Sequence, residues 1–201
     1  LSKQSGSVLV LSGDVPLLRK ESIQKLLDSH EKQNAVCSLV STRLQNPKGY
    51  VRILRDSSEA VYGIREEADA SESEKKITEV NAGIYCFEIK ELFDALSKVS
   101  NQNRQGEFYL TDAIEILVRE KKKVIGVLFE DSEETLGIND RIALAQAEKV
   151  LQKRVNQFHM ENGVTLQGND DIWIDTHSEI ASDVVIESGC RIFKSKIGGA
   201  S

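Results

Sequence analysis

The sequence has no apolar run near the roughly 20 residues needed to cross a bilayer, and its opening, LSKQSGSVLVLSGD, has neither a signal-peptide core nor a cleavage site. Membrane insertion and secretion therefore recede, and a cytoplasmic protein is expected. Metal-ligating residues are scarce: Cys37, Cys86 and Cys190 form no CxxC pair, and only His30, His159 and His177 could join them. Buried thiols in a reducing compartment are the expectation. There is no basic block, and 26 Lys+Arg against 32 Asp+Glu leave a net charge of −6. That balance gives no footprint for nucleic acid or a membrane surface. What remains is an ordinary globular composition, 40% hydrophobic and 29% charged over 201 residues, enough for one sizeable core or one core with a small appendage.

The order of elements reads as α/β. Val8 to Leu11 is a continuous apolar run of the kind buried on both faces in the middle of a parallel sheet. The turn Ser12-Gly13-Asp14-Val15-Pro16-Leu17 follows, then a helix over Glu21 to His30 with Ile23, Leu26 and Leu27 on one face. Ala35 to Thr42 and Tyr50 to Leu54 read as strands, with Ala60 to Ile64 placed to pair as a hairpin. Arg65 to Lys76 is polar, an exposed loop or short helix, and Glu79 to Phe87 is strand-like again. Helices are expected at Ile89 to Ser97 and Thr111 to Lys121, a strand at Val124 to Phe129, and a long helix over Asp140 to Phe158. The long helix has Ile142, Ala145, Val150, Leu151, Val155 and Phe158 as its apolar face and Asn139 as its cap. Alternation of this kind predicts a mostly parallel sheet covered on both faces.

From Gly163 the pattern changes. Ile174, Ile180, Ile186 and Ile192 recur every six residues between small and polar segments, the hexapeptide signature of a β-helix in which each isoleucine points inward. The pattern is still running at Gly198-Gly199-Ala200-Ser201, and Leu1 precedes a strand that needs neighbours, so the chain reads as a fragment cut at both ends.

Ligands of open α/β sheets collect outside the carboxyl ends of strands, where Asp14 sits beside Gly13. A lone carboxylate there suits a Mg²⁺-nucleotide, since Mg²⁺ takes one or two protein oxygens plus substrate phosphates. Equally, an Asp there can close an Asx-turn or belong to the cap region of the next helix. Asn81 lies inside a strand of β-formers and must satisfy its amide, by a sugar hydroxyl or at a β-bulge. Tyr109 is a candidate stacking or hydroxyl contact, and Thr111 or Asp112 a candidate helix cap.

The ordered set SGDVPL (12–17), NPKGYVRI (46–53), GIREEADA (63–70), ITEVNAGIYCF (77–87), NRQGEFYLTDAI (103–114) and GINDR (137–141), followed by hexapeptides, resembles the bacterial bifunctional N-acetylglucosamine-1-phosphate uridyltransferase/glucosamine-1-phosphate acetyltransferases. The resemblance implies a partial Rossmann-like nucleotidyltransferase domain over 1–138, a connecting helix over 139–160, and the start of a left-handed hexapeptide β-helix over 161–201. It further implies Mg²⁺-dependent transfer from UTP to N-acetylglucosamine 1-phosphate, giving UDP-N-acetylglucosamine and pyrophosphate. Asp14 and Asn139 would be the metal ligands, with Asp14 catalytic. Glu66 and Asn81, with Tyr109 and Thr111 beside them, would bind the amino sugar, and Ser12 and Gly13 would line the nucleotide-sugar site. An acetyltransferase using acetyl-CoA would be only begun here, and the full-length protein would be a homotrimer. Three departures bear on this. The family's glycine-rich loop is absent from the sequence, so the fragment alone is expected to be inactive. Val51 stands where the family's motif reads Gly-Tyr-Gly-Arg, and Ala68 where a lysine is usual.

Overall fold

The structure is a computed structural model that describes residues 5–101 and 106–198. Leu1, Asn103 to Gln105 and Gly199 to Ser201, which entered the reading above, lie outside the described residues. The chain divides into two compact units, Leu1–Thr135 and Leu136–Ser201.

In the first unit, the elements in chain order are β1 (Ser7–Val10), α1 (Lys20–Lys32), β2 (Cys37–Arg43), β3 (Arg52–Arg55), β4 (Val61–Arg65), β5 (Glu79–Glu88), α2 (Ile89–Leu96), α3 (Leu110–Arg119) and β6 (Val124–Leu128). The strands form one sheet in the order β4-β3-β5-β2-β6, with β1 also paired to β5. Two expectations are corrected. β2 and β6 are the one parallel neighbouring pair of this sheet among the described residues, because β5 runs antiparallel to its neighbours β1, β2 and β3, and β4 runs antiparallel to β3. Apolar runs look alike whichever way a neighbour points. β1, for its part, pairs only with β5 among the described residues and stays half-buried, rather than lying buried in the middle of the sheet.

Both faces of this sheet are covered. Leu26 of α1, with Ile23 and Leu27 against it, packs on Val40, Ile84, Cys86 and Val127. Leu92 and Ala95 of α2 and Ala113, Ile114 and Leu117 of α3 pack on Leu39, Ile64, Tyr85 and Phe87 from the other side. Each fully buried side chain of this size contributes about 1.5–3 kcal/mol, so these two stripes hold the helices. Cys37 and Cys86 are buried as expected, whereas Cys190 in the second unit is half-buried.

The second unit begins with α4 (Arg141–Glu161) and continues as short strands, β7 (Thr165–Leu166), β8 (Trp173–Ile174), β9 (Glu179–Ile180), β10 (Val185–Ile186), β11 (Arg191–Ile192) and β12 (Lys196–Ile197). They pair in parallel as β7 with β10, β8 with β11 and β9 with β12. Ile172, Ile174 and Ile186 are buried in the core of this unit, with Leu166, Ile180 and Ile192 packed against it. The expected cap of α4 is corrected: Asp140, not Asn139, takes that place, its carboxylate accepting the N–H groups of Ile142 at 2.9 Å and Ala143 at 2.7 Å. The expected apolar face is corrected too. Ile142, Leu151 and Phe158 are exposed, and the buried residues of α4 are Ala147, Gln152, Asn156 and His159. The Gln152 amide donates to the carbonyls of Asp170 and Ile172, and that of Asn156 to those of Asn169 and Ile172. The helix is held by hydrogen bonds to backbone that would otherwise be orphaned.

Candidate active site

The register of the sheet builds a gap on one edge of β5. β1 runs from Ser7 opposite Glu88 to Val10 opposite Tyr85, and the same register continued sets Ser12 across from Gly83. β3 starts with Arg52 opposite Val80, and the Val51 carbonyl accepts the Asn81 N–H at 2.9 Å. The carboxyl end of β1 and the amino end of β3 therefore meet on the same edge, with Ala82 between them. On the other edge β2 offers only Val40 between Leu39, opposite Tyr85, and Ser41, opposite Asn81. The surplus residues of β5 bulge, with Gly83 at φ +72°. Bulges of this kind re-aim side chains, and glycine accepts the left-handed turn without a Cβ penalty.

The bulge carries Asn81. This buried amide donates to the Tyr85 hydroxyl at 2.5 Å and accepts the Gly83 N–H at 3.3 Å. Burial pushes the Tyr85 phenol up to about 12, against the Asn81 hydrogen bond and helped by nearby Glu66. Glu66, in turn, accepts the Thr111 hydroxyl at 3.1 Å. Burial raises its carboxyl above the ordinary value; the Thr111 bond opposes the rise, and the charges of Asp112 and Asp69 add to it. Thr111 thus serves Glu66 and not the cap of α3, whose N-cap residue is Tyr109 with no side-chain cap bond. Glu66, Tyr109, Thr111, Asp69 and Asp112 line a cleft of about 80 Å³. Desolvation and the carboxylates of Glu107, Glu66, Asp69 and Asp112 raise the Tyr109 phenol. Asn81 and Tyr85 form one hydrogen-bonded pair on β5, and Glu66, Thr111 and Tyr109, from the loop after β4 and the start of α3, form a cleft whose Glu66 charge is felt at the Tyr85 phenol.

Past β1, the Ser12 hydroxyl donates to the Gly83 carbonyl at 3.0 Å. Gly13 is exposed, and a Cβ on it would meet nothing within 4 Å. Asp14 is exposed in a turn and makes no side-chain hydrogen bond or ion pair with the described residues; the N-cap residue of α1 is Arg19. Neither the Asx-turn nor the cap reading accounts for it. Its unengaged oxygens fit a hard cation completed by phosphates; no group of three or more metal-ligating side chains occurs among the described residues. Asn139 is exposed in the second unit, two residues before α4, and is relieved of the cap role by Asp140.

Three further residues belong to this region. Tyr85 had a signal: four residues beyond Asn81 it shares a strand face, and a buried tyrosine hydroxyl needs a partner. Gly83 had none, because its bulge depends on the register with β2. Arg52 is 1% exposed and donates to the Tyr50 carbonyl, to Glu67 at 2.6 Å and to the Lys75 carbonyl at 3.3 Å. It draws together both ends of the loop that carries Glu66, although its charge alone reads as a surface residue.

A mixed α/β sheet with a polar site at the end of its first strand defines a class, and the sequence matches the nucleotidyl transferase family over residues 1–178. The chain belongs to that family. It is 44% identical over 192 residues to Bifunctional protein GlmU of Enterococcus faecalis, covering 96% of this chain and 42% of that protein. To the protein of the same name from Listeria innocua it is 45% identical over 192 residues, with the same coverage. The chain spans less than half the length of these relatives. Among solved structures, apo UDP-glucose pyrophosphorylase matches with a TM-score of 0.54 at 13% identity, over 74% of this chain and 55% of that one. Its complex with UDP-glucose matches at 0.52 and 14%, over 74% and 53%. These likenesses show the fold.

Proposed function

We propose that the chain carries the sugar-phosphate side of a Mg²⁺-dependent uridylyltransferase that makes UDP-N-acetylglucosamine and pyrophosphate from UTP and N-acetylglucosamine 1-phosphate. The observation that carries this reading is the pair of polar groups set where the fold does not need them, the buried Asn81 amide on the β5 bulge and Glu66 in its cleft with Thr111, each keeping hydrogen-bonding capacity. A phosphate oxygen of the sugar phosphate forms the new P–O bond at the α-phosphorus of UTP, and the bond to pyrophosphate breaks. The protein's part is alignment and charge neutralisation rather than covalent chemistry. Glu66 and Asn81 hold the sugar, and Tyr109 borders its cleft. Asp14 would supply a carboxylate oxygen to the metal. When bound, Mg²⁺ offsets the phosphate charge that builds up during transfer.

The relatives' name, Bifunctional protein GlmU, supports a second activity in the longer protein, and the family resemblance implies that it is acetyl transfer from acetyl-CoA to glucosamine 1-phosphate. We assign residues 1–138 to the first domain, 139–160 to the connecting helix and 161–201 to the start of a left-handed hexapeptide β-helix. The three parallel strand pairs, each with inward aliphatic residues, support that assignment. The full-length protein is then a cytoplasmic homotrimer; among the described residues no helix is long and apolar enough to cross a membrane.

Pyrophosphate release tests the reading in the protein carried at full natural length. Asp14→Ala lowers it by at least about 1,000-fold, the scale of losing charge stabilisation in a transfer step. Near-normal turnover removes Asp14 from the metal site. Equal kcat/KM for glucose 1-phosphate and N-acetylglucosamine 1-phosphate moves the chain to another sugar.

A further inference from the structure

We infer that Gly83 is a positioning residue that locks the Asp14 loop to the Asn81 amide, an inference that rests on the proposed function above. Three contacts converge on it. Its carbonyl accepts the Ser12 hydroxyl at 3.0 Å, and its N–H donates to Asn81 Oδ1 at 3.3 Å. A Cβ added to Gly83 would lie 2.6 Å from Ser12 Oγ but 3.8 Å from Ser12 Cβ. The close fit is thus made by the hydroxyl and by nothing else of Ser12.

The loop has little other support. β1 ends at Val10, Leu11 is 48% exposed, Gly13 is exposed, and the chain is next buried at Val15. Between Val10 and Val15, Ser12 makes the only side-chain hydrogen bond among the described residues. The Ser12 proton is committed to Gly83, so Ser12 fixes the loop rather than donating to a ligand. Asp14, two residues on, takes its place from that tie. One residue, through the carbonyl of one peptide unit and the N–H of the other, therefore sets the carboxylate against the sugar-binding amide, and the bulge puts that residue within reach.

The test is a double-mutant cycle of Gly83→Ala and Ser12→Ala in the protein carried at full natural length. It is read by calorimetric binding of UDP-N-acetylglucosamine with and without Mg²⁺, and by hydrogen exchange of the amides of residues 12 to 15. Gly83→Ala weakens binding by about 30-fold and Ser12→Ala by about 5-fold, the range of a strained backbone and a lost hydrogen bond. In the double variant the loss falls back to about 10-fold, because removing Oγ frees the space the new methyl needs, and the coupling shows as non-additivity. Losses that simply multiply overturn the lock, since backbone strain alone predicts them. Hydrogen exchange needs no ligand: Ser12→Ala speeds it at residues 12 to 15 by at least about tenfold if the tie holds the loop. Unchanged exchange overturns the inference even where binding falls. If the unaltered protein does not bind UDP-N-acetylglucosamine, the proposed function fails, and the exchange result still decides whether Gly83 holds the loop.

Discussion

Two partly buried carboxylates in the first unit meet opposite fates. Glu79 receives Arg55 Nε at 2.9 Å and Nη2 at 2.7 Å, and Ser41 Oγ at 2.5 Å. Burial alone would raise its carboxyl; the Arg55 and Ser41 bonds hold it below the ordinary value. Among the described residues Glu66 receives only Thr111, and burial lifts it, with the like charges of Asp112 and Asp69 adding to the rise against the Thr111 bond. One carboxylate has spent its lone pairs inside the fold, and the other keeps an oxygen unengaged. A structural carboxylate comes with its cation, whereas one left poorly matched is a candidate for a ligand.

The largest way to break this contrast is Glu79→Ala, which leaves the partly buried Arg55 with only the Glu59 and Gly126 carbonyls and costs about 3 kcal/mol, read from the denaturant midpoint. A change below 1 kcal/mol would put Glu79 in the same class as Glu66. Next comes Asn81→Ala, which raises the KM for N-acetylglucosamine 1-phosphate by about 5- to 150-fold, the equivalent of 1–3 kcal/mol for an unpaired polar group, with the KM for UTP nearly unchanged. Equal losses for both substrates would make Asn81 structural.

The pH dependence sharpens the contrast with a smaller effect. Glu66 has a raised folded pKa, so its contribution is complete below the unfolded value and is lost as pH rises through the folded one. Glu79, held low, contributes above the unfolded value and loses that as pH falls. Thermal melts of Glu66→Gln should therefore lose the decline in stability seen as pH rises above the ordinary 4.5. An unaltered pH profile would mean Glu66 is not raised.

Periodicity exposed α1 to α3 and the strands of the first unit because their apolar stripes do pack. It misread α4, because Gln152 and Asn156 dock by amide bonds to carbonyls, an arrangement with no apolar period. The smallest expected effect lies here, at Leu151, against a clear one at Asn156. Asn156→Leu costs about 1–3 kcal/mol by leaving buried carbonyls unpaired. Leu151→Gln, on the expected but exposed face, stays within about 0.5 kcal/mol. Reversal of that order in denaturant titrations would restore the apolar face. Glu66, Asn81, Tyr109 and Thr111, proposed for the sugar side, were legible as polar groups in unexpected places and through the family resemblance. Gly83 and Arg52 were not, since a bulge and a buried cation depend on neighbours far along the chain.

The amides of α4 also bear on the edges of the short-strand unit. Open strand edges invite further strands, from the same chain or from another. Here the carbonyls of Asn169, Asp170 and Ile172 are already taken by a helix, while β7, β8 and β9 pair with β10, β11 and β12. At Asn169, Asp170 and Ile172 the first turn of this unit therefore offers no unpaired carbonyl to a passing strand, and the helix is the template against which that turn is laid.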